Sequence, residues 1–203
     1  MRGKFIVFEG IDGCGKGAQI KRAGPYIFDL SKEYDCLTTR EPTRDFKEIR
    51  QRMAQGTDVK KDAEWYAKMF VADRRNHVEK YIQYLINLGT HVLTDRYKHS
   101  TLAYQHTQGI ELSKLIEMHE GFLVPDLTLI FDCPAKLAFQ RRRYEGATDV
   151  FDKDLEFQES LRKNYLKLKD ILEGENIVII DGSKPIDEVF SQTKEELDKI
   201  LKV

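Results

Sequence analysis

Phe5-Ile6-Val7-Phe8-Glu9-Gly10-Ile11-Asp12-Gly13-Cys14-Gly15-Lys16 is the stretch that decides the fold. The apolar run reads as a strand covered on both faces, and it leads directly into a glycine-rich loop that ends in lysine before a helical stretch. Glycines at 10, 13 and 15 let successive N–H groups turn inward around an anion. The following helix adds its positive end, and Lys16 adds a mobile point charge for the outer phosphates. The spacing G-x-x-x-x-G-K is that of a Walker A phosphate loop. A nucleoside triphosphate is therefore expected on Gly10, Ile11, Asp12, Gly13, Cys14, Gly15, Lys16 and the two residues that follow. The alternative is a glycine turn that only joins a strand to a helix.

Those two residues depart from the usual pattern. Gly17 and Ala18 stand where a serine or threonine hydroxyl normally reaches Mg²⁺. Two readings follow. In one, Mg²⁺ keeps more of its waters and is held by carboxylates elsewhere. In the other, the loop binds nucleotide without turning it over, as a sensor or regulatory protein would.

The 203 residues suit one domain with a substantial core. Lys plus Arg number 33 against 34 Asp plus Glu, a net charge of −1, which argues against a nucleic-acid-coating protein. Cys14, Cys36 and Cys133 show neither metal spacing nor a disulfide framework and read as small packing residues. No apolar stretch approaches a membrane span, and the N-terminus lacks the pattern of a signal peptide. The expectation is a cytoplasmic protein without nucleic-acid or membrane partners.

Strands are predicted at Lys4–Glu9, Cys36–Thr39, His91–Thr94, Leu127–Asp132 and Ile177–Asp181. Helices are predicted at Lys16–Glu33, Asp45–Gln55, Asp62–Leu88, Glu111–Glu120, Ala135–Tyr144, Leu155–Leu172 and Ile186–Leu201. Strands separated by long helical stretches imply right-handed crossovers and a parallel sheet. The fold class is α/β, a three-layer doubly wound domain of the P-loop type with a five-stranded parallel sheet, in which ligands gather at the carboxyl ends of the strands. Polar or charged clusters do close all five predicted strands, with Arg40 and Arg96 at two neighbouring ends, where a planar guanidinium suits phosphate.

With Phe8-Glu9-Gly10-Ile11-Asp12-Gly13, Thr39-Arg40-Glu41-Pro42, Phe70-x-x-x-Arg74-x-x-His77, Asp95-Arg96-Tyr97-x-x-Ser100-x-x-Ala103-Tyr104-Gln105, Arg141–Arg143 and Leu161-Arg162-x-x-Tyr165-Leu166 in this order, the chain resembles the thymidylate kinases, within the nucleoside monophosphate kinases. The resemblance implies phosphoryl transfer from ATP, with Mg²⁺, to dTMP; another pyrimidine monophosphate such as dUMP is the neighbouring possibility. It implies an acceptor site of Glu9, Arg40, Pro42, Phe70, Arg74, Arg96, Ser100, Thr101, Tyr104 and Gln105, with Phe70 stacking on thymine, Arg74 reaching its O4, and Tyr104 crowding a 2′-hydroxyl. It implies catalytic roles for Lys16, Asp12, Arg96 and either Arg141 or Arg143, the arginines belonging to a lid of about residues 141–152. Asp95 and Asp12 are implied at the metal, directly or through water, and Ser183 and Lys184 at adenine. A homodimer through the long third helix, which carries Trp65, Met69 and Ala72, is also implied.

Plainer readings stand beside these. Phe70 could be core and Arg74 a solvated helix charge; Asp95 and Arg96 could be a buried pair pinning a loop. Thr101 could be an ordinary hydroxyl at a helix start, Asp12 an Asx turn, and at least one lid arginine a cation at a helix C-terminus.

Overall fold

The computed structural model describes residues 2–55, 62–144 and 155–202, without the side chains of residues 143 and 144. Five parallel strands form one sheet in the order β2-β3-β1-β4-β5: β1 (Phe5–Glu9), β2 (Cys36–Arg40), β3 (His91–Asp95), β4 (Leu127–Asp132) and β5 (Ile177–Asp181). The predicted strands thus fall within a residue of the observed ones. β1 lies at the centre with every residue buried. Ile6 and Phe8 enter the larger apolar cluster, while Phe5 and Val7 enter the smaller one on the other face, the period-two division that a strand imposes.

The helices are α1 (Lys16–Leu30), α2 (Lys47–Ala54), α3 (Ala63–His77), α4 (Gln83–Asn87), α5 (Lys98–Thr107), α6 (Leu112–Glu117), α7 (Ala135–Tyr144), α8 (Leu155–Ile171) and α9 (Ile186–Leu201). The larger cluster takes Ile20 and Ile27 of α1, Leu161 and Leu168 of α8, and Val189 and Leu197 of α9. The smaller takes Val78, Ile82 and Ile86, together with Tyr97 and Phe122.

Two features correct the sequence reading. The single helix expected over Asp62–Leu88 is interrupted by a π turn, Val78–Ile82, between α3 and α4. And α5 is a helix where none was assigned, because its buried face is mostly polar: Lys98, His99, Thr101 and Gln105 are buried beside only Leu102 and Ala103. Among the described residues no helix is long and apolar enough to cross a membrane. Of the expected lid, residues 141–144 continue α7; residues 145–152 and the Arg143 side chain lie outside the described residues.

Candidate active site

The phosphate loop is shaped by close approaches as much as by glycine's freedom. Gly13 has φ 84°, and a Cβ there would stand 2.3 Å from the Ala138 carbonyl oxygen of α7. Gly15, at φ 98°, forms the N-cap of α1. The N–H groups of Gly13, Gly15 and Gly17 find no backbone acceptor, which leaves them available to an anion. A Cβ on Gly17 would meet nothing within 4 Å.

One carboxylate organises the cations around this loop. Asp12 Oδ1 accepts from Arg96 Nη2 at 2.5 Å and from Lys16 Nζ at 3.2 Å, and Asp12 Oδ2 lies 3.7 Å from Arg142 Nη1. Desolvation alone would raise the Asp12 carboxyl, but the charges of Arg96, Lys16 and Arg142 hold it far below the ordinary carboxylate range. Burial works against the Arg96 charge in turn, and Asp12 outweighs it.

Arg96 is placed by a strained backbone. Its φ of 75° is unusual for a residue with a side chain, and the conformation is held by Arg96 N–H donating to the Phe8 carbonyl (3.0 Å) and Thr94 Oγ1 donating to the Arg96 carbonyl (3.0 Å). Nη1 then donates to Ser100 Oγ (2.9 Å) and Tyr165 Oη (3.0 Å). Behind them sits Glu9, fully buried, accepting from the N–H of Tyr97 (2.7 Å), Ser100 Oγ (2.7 Å) and Tyr165 Oη (3.2 Å).

Two clefts meet at Asp12. The first runs along the loop and is lined by Gly13 to Ala18, Asp95, Arg141, Arg142, Lys184 and Pro185. The second is walled by Pro42, Met53, Tyr66, Phe70, Arg74, Arg96, Ser100, Thr101, Tyr104, Gln105 and Gln108. Phe70 presents a flat ring there, stacked on Tyr66 with centroids 5.9 Å apart. Tyr104 donates to Asp12 Oδ2 (3.3 Å) and lies under the Arg96 guanidinium.

Arg74 is only 2% exposed, yet it reaches the wall of the second cleft. Nε donates to Glu41 Oε2 (2.7 Å), Nη1 to His119 Nε2 (2.7 Å), Nη2 to the Tyr97 carbonyl (3.0 Å), and both Nη atoms to Thr101 Oγ1 (3.2 Å each). His77 Nδ1–H donates to the other Glu41 oxygen (3.1 Å), and its Nε2 pairs with Thr39 Oγ1 (3.0 Å). The turn after Glu41 is held by Asp73, which accepts from the N–H (2.7 Å) and hydroxyl of Thr43. Burial raises the Asp73 carboxyl against those hydrogen bonds.

The structure brings most of the expected residues together. Arg40 is exposed at the end of β2, opposite Asp95 in register, and is outside the residues that wall either cleft. Glu9 reaches the site through Ser100 and Tyr165. Arg141 grips the carbonyls of Gly182 (2.7 Å) and Ser183 (3.1 Å), bracing the loop after β5. The Ser183 hydroxyl caps Asp181 (2.5 Å). Arg142, which the sequence does not single out, is the α7 arginine nearest Asp12 among the described side chains. The signal was its i+4 relation to Ala138, the residue pressed against Gly13. Met53, Tyr66 and Gln108 were also missed, lacking any spacing of their own, and Tyr165, part of the Leu161-Arg162-x-x-Tyr165 block, was given no role. Trp65, expected on an open flank, lies against the Arg52 guanidinium at 4.4 Å.

A metal ion fits this site only in part. Asp95 Oδ1 is buried, without a hydrogen-bond partner, on the wall of the loop cleft. Among the described residues no group of three or more metal-ligating side chains occurs. An ion would therefore rest on one carboxylate, waters and phosphate oxygens, as Mg²⁺ does.

Comparisons with known proteins agree with this geometry. The family model described as Thymidylate kinase matches residues 8–193. The chain is 40% identical over 185 residues to the Probable thymidylate kinase of Pyrococcus horikoshii, covering 88% of each chain. It is 34% identical over 203 residues to the Thymidylate kinase of a Geobacillus species, covering 95% of each, and 34% identical over 194 residues to that of Dinoroseobacter shibae, covering 92% of each. A phosphate loop joined through one aspartate to a second cleft walled by Phe70 and Arg74, on a sequence matched nearly end to end, places this chain in the thymidylate kinase family.

Proposed function

We propose that the protein transfers the γ-phosphoryl group of ATP to dTMP, giving dTDP and ADP. The observation that carries this reading is the meeting of the two clefts at Asp12 and Arg96: a donor in one and an acceptor in the other would face each other there. The acceptor's phosphate oxygen is already ionised, so the protein needs positioning and charge neutralisation more than a general base.

The residues divide the work accordingly. Loop N–H groups and Lys16 hold the β- and γ-phosphates; Arg96 and Arg142 offset charge on the transferring group; Ser183 and Lys184 flank the adenine end, braced by Arg141. Phe70 stacks on the base, Thr101, held by Arg74, addresses its edge, Gln105 and Pro42 complete the wall, and Tyr104 fills the space of a 2′-hydroxyl. Arg40, exposed at its strand end, closes on the acceptor phosphate from outside. Asp95 would hold Mg²⁺, which supplies further neutralisation of the phosphates when bound. Two copies pair through the outer side of the helical run 63–87, where Tyr81, Tyr84 and Leu88 are exposed, and the enzyme works in the cytoplasm.

The test is a panel of nucleoside monophosphates with Mg·ATP, followed by ADP release. dTMP should be the best acceptor, ahead of dUMP; ATP binding with no transfer to any monophosphate would refute the proposal.

A further inference from the structure

We propose that His119 positions the Arg74 guanidinium, and through it makes the Thr101 hydroxyl a fixed proton donor facing the nucleotide cleft. The inference rests on the dTMP reading and adds to it a residue outside the cleft wall.

The argument follows the protons. Arginine has only donors, so His119 Nε2, 2.7 Å from Arg74 Nη1, must offer a bare lone pair. His119 Nδ1 lies 2.7 Å from the Leu115 carbonyl oxygen, which only accepts, so the ring proton sits on Nδ1. The imidazole is thereby neutral and fixed in one tautomer. Burial and the charge of Arg74 lower its pKa to about 3, in keeping with that state.

With Nη1 tied to His119, Nη2 to the Tyr97 carbonyl and Nε to Glu41, Arg74 has one N–H left on each Nη atom. Both point at Thr101 Oγ1, at 3.2 Å. The two lone pairs of that oxygen are then occupied. Its single proton has no acceptor among the described residues, and Thr101 lines the cleft beside Phe70. The cleft wall therefore offers a donor at this point. A pyrimidine 4-oxo group accepts it; a 4-amino group would set donor against donor. Without His119, one buried Nη1 proton has no acceptor; Arg74 keeps Glu41 and the Tyr97 carbonyl but is no longer fixed where both Nη atoms donate to Thr101 Oγ1, so that oxygen can present a lone pair instead.

The experiment compares wild type, His119→Leu and His119→Gln, whose amide oxygen can take the place of Nε2, using dTMP and 5-methyl-dCMP as acceptors. His119→Leu should raise KM for dTMP about tenfold with kcat within about twofold, and shrink the preference for the 4-oxo acceptor by about tenfold or more. KM for ATP should not move, and His119→Gln should recover most of the loss. Imidazole ¹⁵N spectra of the wild-type protein should show His119 protonated on Nδ1 at neutral pH, an outcome that does not depend on either variant folding. An Nε2–H tautomer, an unchanged acceptor preference in His119→Leu, or no recovery in His119→Gln would overturn the proposal. A wild-type enzyme inactive on every 4-oxo monophosphate would instead refute the proposed function, while leaving the tautomer readable.

Discussion

Asp12 Oδ1 lies 2.5 Å from Arg96 Nη2 and 3.2 Å from Lys16 Nζ, so a single oxygen ties the glycine loop to the end of β3. Arg96 spends its other terminal nitrogen on Ser100 and Tyr165. Only a fork can serve both directions. Arg96→Lys should therefore lower kcat by about a hundredfold or more, despite keeping the charge, while the melting temperature changes little. A coupled ADP-release assay beside a thermal melt checks both parts.

The two visible α7 arginines should fail differently. Arg142→Ala removes a cation 3.7 Å from Asp12 and is expected to reduce kcat by about tenfold to a hundredfold. Arg141→Ala loosens the carbonyls of Gly182 and Ser183, so its main effect should be a higher KM for ATP. Steady-state kinetics with ATP varied at saturating dTMP separates the two.

Gly13 and Gly17 make a contrasting pair. Gly13→Ala places a methyl 2.3 Å from the Ala138 oxygen at φ 84° and should cost about 3 kcal/mol of stability together with nucleotide binding. Gly17→Ser has open space and should leave stability unchanged and activity within about threefold, if Mg²⁺ is held mainly through water. Chemical denaturation and ATP titration measure these outcomes. A large gain of activity in Gly17→Ser would show that the missing hydroxyl limits the native loop.

His119 also predicts a pH dependence. Its pKa falls to about 3 in the folded protein, so between about 3 and the ordinary value of 6.5 the unfolded chain binds a proton that the native one does not. Stability from this group is full above 6.5 and is lost as pH falls toward 3. His119→Gln should flatten the stability profile between pH 4.5 and 6.5 relative to wild type, the carboxylates being common to both. Urea unfolding at several pH values provides the comparison.

The sheet was legible because β1, β3, β4 and β5 are apolar runs hemmed by polar strand ends, and the phosphate loop because its spacing is dictated by an anion. Helix α5 was not, since a helix that buries Lys98, His99, Thr101 and Gln105 has only Leu102 and Ala103 as an apolar stripe to announce it. Residues that act through others were equally hidden. Glu9 was expected at the acceptor directly rather than through Ser100, and neither Tyr165 nor His119 was given a role; only the packing of β1, α8 and the segment after α6 around α5 shows what they touch. Choosing between Arg141 and Arg142 needed the point where α7 meets Gly13, which no local pattern encodes.

The π turn at Val78–Ile82 sets the direction of Arg74. In an uninterrupted α-helix every fourth residue drifts by about 40° around the axis, so four such positions would wander off a shared side. Wider winding over Val78–Ile82 reverses that drift, and Arg74, Val78, Ile82 and Ile86 are all buried in one line. Excising one residue from the turn would restore ordinary winding and swivel the guanidinium out of alignment, while Ile82 and Ile86 stayed seated under the sheet. The surplus residue thus serves as a phase adjuster, letting one rod grip the hydrophobic interior at its far end and set a charge in the wall of the second cleft from its near end.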